Sequence, residues 1–158
     1  MAFLFDTDAI SEVLRRKPAP DYLRWLTTIP RAEQFTSAVV IGELYKGAFR
    51  SSDRPRHLQN IEDRVLSAVT TLPYDSVVAR TFGEIHAGLT RQGRILTDAD
   101  LQIAATALHH GLELVTGNVR YFRWRSRTAD QSHPVRGAGN TKIKRSRACD
   151  PPYRAKRS

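Results

Sequence analysis

The chain has 158 residues, of which 41% are hydrophobic, so it is long enough for one domain with one buried core and little more. A single cysteine, Cys149, excludes a fold held together by internal disulfides. The apolar start meets Asp6 too soon for a signal peptide, and no apolar run approaches the ~20 residues of a membrane span. We therefore expect a soluble cytoplasmic protein.

The net charge of +9 is confined to the end of the chain. Residues 1–122 contain 14 Lys or Arg and 14 Asp or Glu, against 25 and 16 in the whole chain, so residues 123–158 hold 11 bases and 2 acids. The last stretch has few large apolar side chains and is rich in Arg, Lys, Ser, Gly and Pro. This composition predicts a folded domain over residues 1–122 and a basic, disordered tail over residues 123–158.

Within residues 1–122, short apolar runs alternate with stretches of helical periodicity. Strands are predicted at residues 2–5, 34–37, 70–74 and 112–116. Helices are predicted after Asp6, at residues 21–26, from Ala38, around residues 58–66 and 77–89, and from Asp98 to a stop at Gly111. Strands that alternate with helices predict an α/β fold with a parallel sheet.

Polar side chains stand where the carboxyl ends of the predicted strands would bring them together. Asp6 directly follows the first strand, and Asn118 follows the last. Asp98 and Asp100 begin a helix, and Glu43 lies at the edge of an apolar helical stripe. In parallel α/β sheets, binding sites form just beyond the carboxyl ends of the strands, so these side chains are candidates for one site.

Each of these residues also has an ordinary structural role open to it. Asp6 is a natural helix cap, although Asp8 could cap the same helix and free Asp6 for another task. One of Asp98 and Asp100 would suffice as the cap of their helix, so the second invites another role. Taken alone, the glutamate would be a solvated helix residue and the asparagine a turn residue.

The acids are more informative together than singly. Three carboxylates at one end of a sheet would raise one another's pKa unless a cation held them together. Mg²⁺ suits such a site, because it prefers carboxylate oxygen and keeps several waters when protein ligands are few. The histidines are scattered without zinc spacing, and the sequence has no glycine-rich phosphate loop. These patterns favour a magnesium site.

Four segments resemble, in order and spacing, the motifs of PIN-domain proteins. They are residues 3–12, where an apolar strand leads into Asp-Thr-Asp; residues 37–48, built around Gly-Glu-Leu and a later Gly; residues 97–108, with Asp-x-x-Ile-Ala-Ala; and residues 114–122, with Thr-Gly-Asn. The pattern is similar above all to the VapC toxins of bacterial toxin–antitoxin pairs. The resemblance implies a parallel sheet between helices, and cleavage of RNA phosphodiester bonds as the activity.

The resemblance also implies a role for each matching position. Asp6 and Asp100 would be the main ligands of Mg²⁺ or Mn²⁺, and Glu43 would complete the acidic cluster directly or through a water. Asp98 would have a supporting or capping role. Asn118 stands where relatives carry Asp or Asn, and its amide would lower the charge of the site and weaken a second metal site. The implied partners are an RNA substrate, a VapB-like antitoxin and a second copy of the chain.

The end of the chain departs from the family pattern. Relatives continue after the position of Phe122 with a Pro-Gly turn and a final apolar strand, whereas residues 123–127 here are Arg-Trp-Arg-Ser-Arg. We therefore expect the last strand to be missing, which would expose a sheet edge and weaken the toxin. A changed reading frame near Phe122 or an arm that binds RNA phosphates would each explain the tail, and a solvated tail without function is the simpler hypothesis.

Two other functions compete with the nuclease hypothesis. Asp6 and Asp8 also resemble the nucleophile and acid of haloacid-dehalogenase-type phosphatases, with Thr36 or Ser37 as the hydroxyl of that family, but the body of the chain has no well-placed lysine. The second alternative is an inactive module that binds RNA or an antitoxin, which Asn118 and the altered ending leave open.

Overall fold

The computed structural model describes residues 1–117 and the backbone of residues 143–145. Its strands are β1 (Phe3–Phe5), β2 (Gln34–Ser37), β3 (Thr70–Leu72), β4 (Glu113–Thr116) and β5 (Ile143–Arg145). Its α-helices are α1 (Thr7–Leu14), α2 (Pro20–Thr27), α3 (Ala38–Arg50), α4 (Arg54–Asn60), α5 (Ser76–Arg91) and α6 (Asp98–His109). A 3₁₀ turn at Arg31–Glu33 precedes β2, and a π-helical segment, Ile61–Leu66, continues α4. Within this described part, no helix is long and apolar enough to cross a bilayer.

The five strands form one parallel sheet in the order β3-β2-β1-β4-β5. The chain moves outward from β1 through β2 to β3, and then returns to the other side of β1 to form β4. This reversal makes the boundary between β1 and β4 the switch point of the sheet. The crevice beyond the carboxyl ends of two such strands is where open α/β sheets bind ligands. The prediction of a parallel α/β fold is confirmed.

Buried side chains on the two central strands hold the helices against the sheet. Leu4 of β1 and Leu114 and Val115 of β4 are fully buried or nearly so, and they belong to a core shared with helices α1, α3 and α6. A second cluster joins α5 to α6 through Leu101 and Ala105. Because α6 belongs to both clusters, its position is fixed from two sides, and so is that of the acids in its first turn.

Three helix and strand ends show how single residues set the boundaries. The strand predicted at residues 70–74 ends at Leu72, because Pro73 has no N–H to offer the sheet. The helix predicted around residues 58–66 begins earlier, at Arg54, where a proline at the first turn favours helix initiation. Gly111 follows the end of α6 with a φ of 66°, as the predicted stop requires.

The expectation that the last strand is missing is wrong. Residues 143–145 form β5, which pairs in parallel with β4 and places Leu114 opposite Ile143. The strand escaped prediction because an edge strand needs little apolar pattern of its own. Without β5, the N–H and C=O groups on the outer edge of β4 would have no strand partners, and a short segment free of proline can pair with them even when two of its three residues are basic. The rest of the predicted tail, residues 123–142 and 146–158, lies outside the described residues.

Candidate active site

Asp6 lies at the carboxyl end of β1, at the switch point of the sheet. Its backbone N–H donates to the Val115 carbonyl of β4 at 3.1 Å, which continues the pairing of the two strands by one residue. Its Oδ1 accepts from the Ala9 N–H at 2.8 Å and so caps α1. The carboxylate also accepts a hydrogen bond from the Thr116 hydroxyl at the end of β4. Asp6 rather than the exposed Asp8 is therefore the cap, and its remaining lone pairs are left for a ligand.

The environment of Asp6 disfavours its charge. Burial raises the pKa of its carboxyl from 3.8 to about 7, against the lowering effect of the hydrogen bonds from Thr116 and Ala9. The negative charges of Asp8 and Asp100 raise this pKa further, so these carboxylates lie close enough to interact. A cation at this position would reverse the effect and favour the ionised form.

Glu43 reaches the same edge of the sheet from α3. This helix begins directly after β2, where Ser37 caps it by accepting from the Val40 N–H at 3.2 Å. The carboxylate of Glu43 is half-buried and accepts a hydrogen bond from the hydroxyl of Thr7, the neighbour of Asp6 along the chain. Glu43 was predicted to lie at the edge of the apolar stripe of its helix. Its hydrogen bond to the start of α1 agrees with that position.

Asp100 stands in the first turn of α6, but neither it nor Asp98 caps this helix. The cap is Thr97, whose hydroxyl accepts from the Asp100 N–H at 3.2 Å and donates to Asp100 Oδ2 at 2.6 Å. The expectation that one of the two acids is the cap is therefore wrong. The Thr97 hydroxyl therefore both caps α6 and fixes the carboxylate of Asp100, while Asp98 remains exposed.

Each of the three acids is thus hydrogen-bonded to a threonine hydroxyl that the sequence patterns did not single out. The pairs are Asp6 with Thr116, Glu43 with Thr7, and Asp100 with Thr97. Only the last pair has a sequence signal, because threonine three residues before an acid at a helix start is the spacing of a capping box. The other two pairs depend on which strands and helices become neighbours in the fold.

The donor set fits a hard divalent ion held by few protein ligands. Among the described residues, no three His, Cys, Asp or Glu side chains are grouped closely enough to hold a metal by themselves. Asp6 and Asp100 nevertheless offer carboxylate oxygens whose mutual repulsion a cation would relieve, and Mg²⁺ completes its octahedral shell with water. Asn118, the fourth predicted residue, lies outside the described residues, two positions after Thr116.

The surroundings of Thr36 and Ser37 disfavour the phosphatase alternative. The Thr36 hydroxyl donates to the Phe5 carbonyl at 2.9 Å, and the Ser37 hydroxyl caps α3. Both side chains are fully buried. A hydroxyl that must bind a substrate phosphate needs to face the open site, and these two are committed to holding β2 and α3 in place.

Comparison with known proteins identifies the family. A model described as "PIN domain" matches residues 3–125. The chain belongs to the PIN-domain family. Two relatives of this PIN-domain chain are ribonuclease VapC2 of Haemophilus influenzae, 34% identical over 122 residues, and the tRNA(fMet)-specific endonuclease VapC of Shigella flexneri, 35% identical over 122 residues. Each alignment covers 77% of this chain and 90% of the relative.

Solved structures agree with this assignment. The crystal structure of DNA-bound VapBC from Salmonella typhimurium matches with a TM-score of 0.73 and 26% identity, and covers 92% of this chain and 98% of that one. The FitAcB structure from Neisseria gonorrhoeae matches with a TM-score of 0.70 and 28% identity, and covers 76% and 91%. The predicted resemblance to PIN domains is confirmed, and the family match ends at residue 125, close to the change in composition after residue 122.

Proposed function

We propose that this PIN-domain chain is a VapC-type toxin, an endoribonuclease that hydrolyses RNA phosphodiester bonds. The observation that carries the proposal is the placement of Asp6: a buried carboxylate at the switch point of the sheet, with a raised pKa and with Asp100 near enough to raise it further. The relatives named as VapC ribonucleases align over 90% of their length, so their activity is the natural inference for a site of this kind.

In this proposal, Asp6 and Asp100 hold a divalent ion, Mg²⁺ or Mn²⁺, and Glu43 completes the acidic cluster directly or through a water. Asn118 contributes a neutral oxygen. When bound, such an ion lowers the pKa of a coordinated water and neutralises the charge that develops on the phosphate. Cleavage by water in line with the leaving oxygen leaves a 5′-phosphate.

The residues around the acids prepare the site before RNA arrives. The Ala9 N–H and the Thr116 hydroxyl hold the carboxylate of Asp6, and Thr97 holds that of Asp100. Burial of Asp6 removes competing water and strengthens its attraction for a cation. Fixed carboxylates need not reorganise when the ion and the phosphate bind, which is the main way in which such a site lowers a barrier.

The partners follow from the same proposal. A structural neighbour is a VapBC complex, so we propose that a VapB-like antitoxin binds this chain and blocks its site. We also propose that the chain forms a homodimer and acts in the cytoplasm, where both its RNA substrate and its antitoxin would be made.

The test is cleavage of single-stranded RNA by the purified full chain with Mg²⁺, compared for the unmodified protein, Asp100→Asn and Asp63→Asn. Asp63 is exposed and lies in the π-helical segment after α4, so its variant controls for the loss of one acidic charge. We expect Asp100→Asn to abolish cleavage, EDTA to do the same, and Asp63→Asn to cleave normally.

Three results would contradict the proposal. Retained cleavage by Asp100→Asn would overturn the assignment of the site. Hydrolysis of a generic phosphate monoester without cleavage of RNA would instead support the phosphatase alternative, and RNA binding that persists in EDTA without any cleavage after Mg²⁺ is restored would support an inactive binding module.

A further inference from the structure

Most basic side chains of residues 1–117 are engaged within the domain. Carboxylates pair with Arg15, Arg24, Arg56 and Arg80, main-chain carbonyls accept from Arg31 and Arg64, and Arg54 lies over the Phe49 ring. The remaining Lys and Arg side chains are all exposed, and within the described part of the chain they make no ion pair or hydrogen bond. They are Arg16, Lys17, Lys46, Arg50, Arg91 and Arg94.

Lys46 and Arg50 extend from the acidic cluster along α3. They follow Glu43 by three and seven residues, so all three share one face of the helix. At 1.5 Å per residue, Arg50 stands about 10 Å from Glu43 along the helix axis. Gly47 lies on the same face, and a side chain there would meet nothing within 4 Å. This face is therefore open to a partner that passes close to the helix backbone.

Arg91 and Arg94 lie near the start of α6. Helices α5 and α6 pack against each other and are joined by residues 92–97, so the last turn of α5 is beside the first turn of α6. The connection is fixed by a Schellman motif, in which the Arg94 N–H donates to the Leu89 carbonyl at 3.0 Å and Gly93 adopts a φ of 67°. Both arginines thus stand at the end of the helix pair that carries Asp100.

The two pairs of cations have a physical reason to flank an acidic site. Asp6, Asp8, Glu43, Asp98 and Asp100 together create a negative edge that repels a polyanion. A bound divalent ion offsets this repulsion at one phosphate, but not at the neighbouring phosphates of the same strand. The exposed cations of α3 and of the α5–α6 connection can supply that attraction at little cost. They form no ion pair with the described residues, so none has to be broken.

We infer that Lys46 and Arg50 on one side, and Arg91 and Arg94 on the other, bind the phosphates of a single-stranded RNA that flank the cleaved bond. This inference rests on the proposed ribonuclease function and deepens it. These cations position the strand and contribute affinity without reading its sequence, since contacts to phosphates carry no base information.

The experiment compares three double variants that each remove two exposed, unpaired positive charges. Lys46→Ala with Arg50→Ala and Arg91→Ala with Arg94→Ala test the two sides. Arg16→Ala with Lys17→Ala is the matched control for the loss of two exposed charges, because both residues lie beyond the far end of α1, more than about 12 Å from Asp6, whereas Lys46 lies one helical turn, about 5 Å, from Glu43. All are made in Asp100→Asn, and binding of a short single-stranded RNA is measured by fluorescence anisotropy in EDTA at several salt concentrations.

Each contact with a single-stranded phosphate contributes about −0.7 to the slope of log K against log salt. Loss of either flanking pair should therefore make the slope less steep by about 1.4 and weaken binding at low salt. The control pair should leave both quantities unchanged, and melting temperatures should be equal for all three. Equal losses in the control and the flanking variants, or no loss in either flanking pair, would overturn the inference.

RNA cleavage by the chain without substitutions distinguishes a failure of this inference from a failure of the proposed function. If the chain without substitutions cleaves RNA with Mg²⁺ while the flanking variants behave like the control, the assignment of these cations is wrong and the ribonuclease proposal stands. If the chain neither binds nor cleaves RNA, the proposed function fails and the inference fails with it.

Discussion

Replacing Asp6 by asparagine should stabilise the protein when divalent ions are absent. The substitution removes a carboxyl whose pKa burial raises to about 7, and keeps its structural role. Asparagine is as good a helix cap as aspartate, so its side-chain oxygen can still accept from the Ala9 N–H. The buried charge is therefore lost without loss of the cap.

The magnitude and its pH dependence follow from the pKa in each state. In the unfolded chain the carboxyl has its ordinary pKa of 3.8, and in the folded protein the pKa is about 7. Below 3.8 both states bind the proton, and this group costs nothing. Between 3.8 and 7 the folded state holds a proton that the unfolded state has released, so stability falls as the pH rises. At ~1.4 kcal/mol per pKa unit, the penalty above pH 7 is on the order of 4 kcal/mol as an upper figure.

The assay is urea denaturation in EDTA at pH 5 and pH 8, for the unmodified protein, Asp6→Asn and Asp75→Asn. Asp75 also caps a helix, accepting from the Val77 and Val78 N–H groups, but these bonds lower the pKa of its exposed carboxyl. We expect Asp6→Asn to gain stability at pH 8 and much less at pH 5, and Asp75→Asn to gain at neither. A gain for Asp6→Asn that is absent at pH 8, or equal at both pH values, would refute the reasoning.

Three further predictions concern the metal, the threonines and the last strand. Added Mg²⁺ should raise the melting temperature of the unmodified protein at pH 8 but not that of the Asp6→Asn, Asp100→Asn double variant; an equal rise in both would place the ion elsewhere. Thr97→Val should cost about 1 kcal/mol, the usual worth of a helix cap, and should lower kcat for RNA cleavage, while Thr97→Ser restores both; recovery of stability without recovery of kcat would show that the hydroxyl does not position Asp100. A chain ending at Trp124 should melt at a lower temperature than the full chain, because β4 loses the partner strand that begins at Ile143; equal melting temperatures would show that β5 adds nothing to the fold.

Apolar periodicity was sufficient to predict the core of the fold. Short apolar runs such as residues 2–5 have room only for strands, and the spacing of apolar residues after Ala38 suits only a helix, so the α/β alternation could be predicted with ends correct to a few residues. The last strand could not be predicted in this way. Its place depends on an open edge of β4 and on backbone pairing, neither of which leaves a mark on side-chain pattern.

The sequence was sufficient to select the acids of the candidate site, but not the hydroxyl groups that bind those acids. Motif spacing singled out Asp6, Glu43 and Asp100, because each acid has an ordinary role when taken alone and only their occurrence together indicates a site. The choice between Asp6 and Asp8 as a cap was open, since both fit the same helix start. The bond from Thr116 to Asp6 depends on β1 and β4 becoming neighbours, which is a property of the topology and not of any local pattern.

The claim that Asp6 holds the catalytic ion is tested most directly by RNA cleavage with the unmodified protein and Asp6→Asn across one Mg²⁺ titration. Because the variant is expected to be the more stable protein, a loss of activity cannot be ascribed to unfolding. We predict that the unmodified chain cleaves single-stranded RNA and that Asp6→Asn does not at any Mg²⁺ concentration. Cleavage by Asp6→Asn at the rate of the unmodified protein would contradict the account.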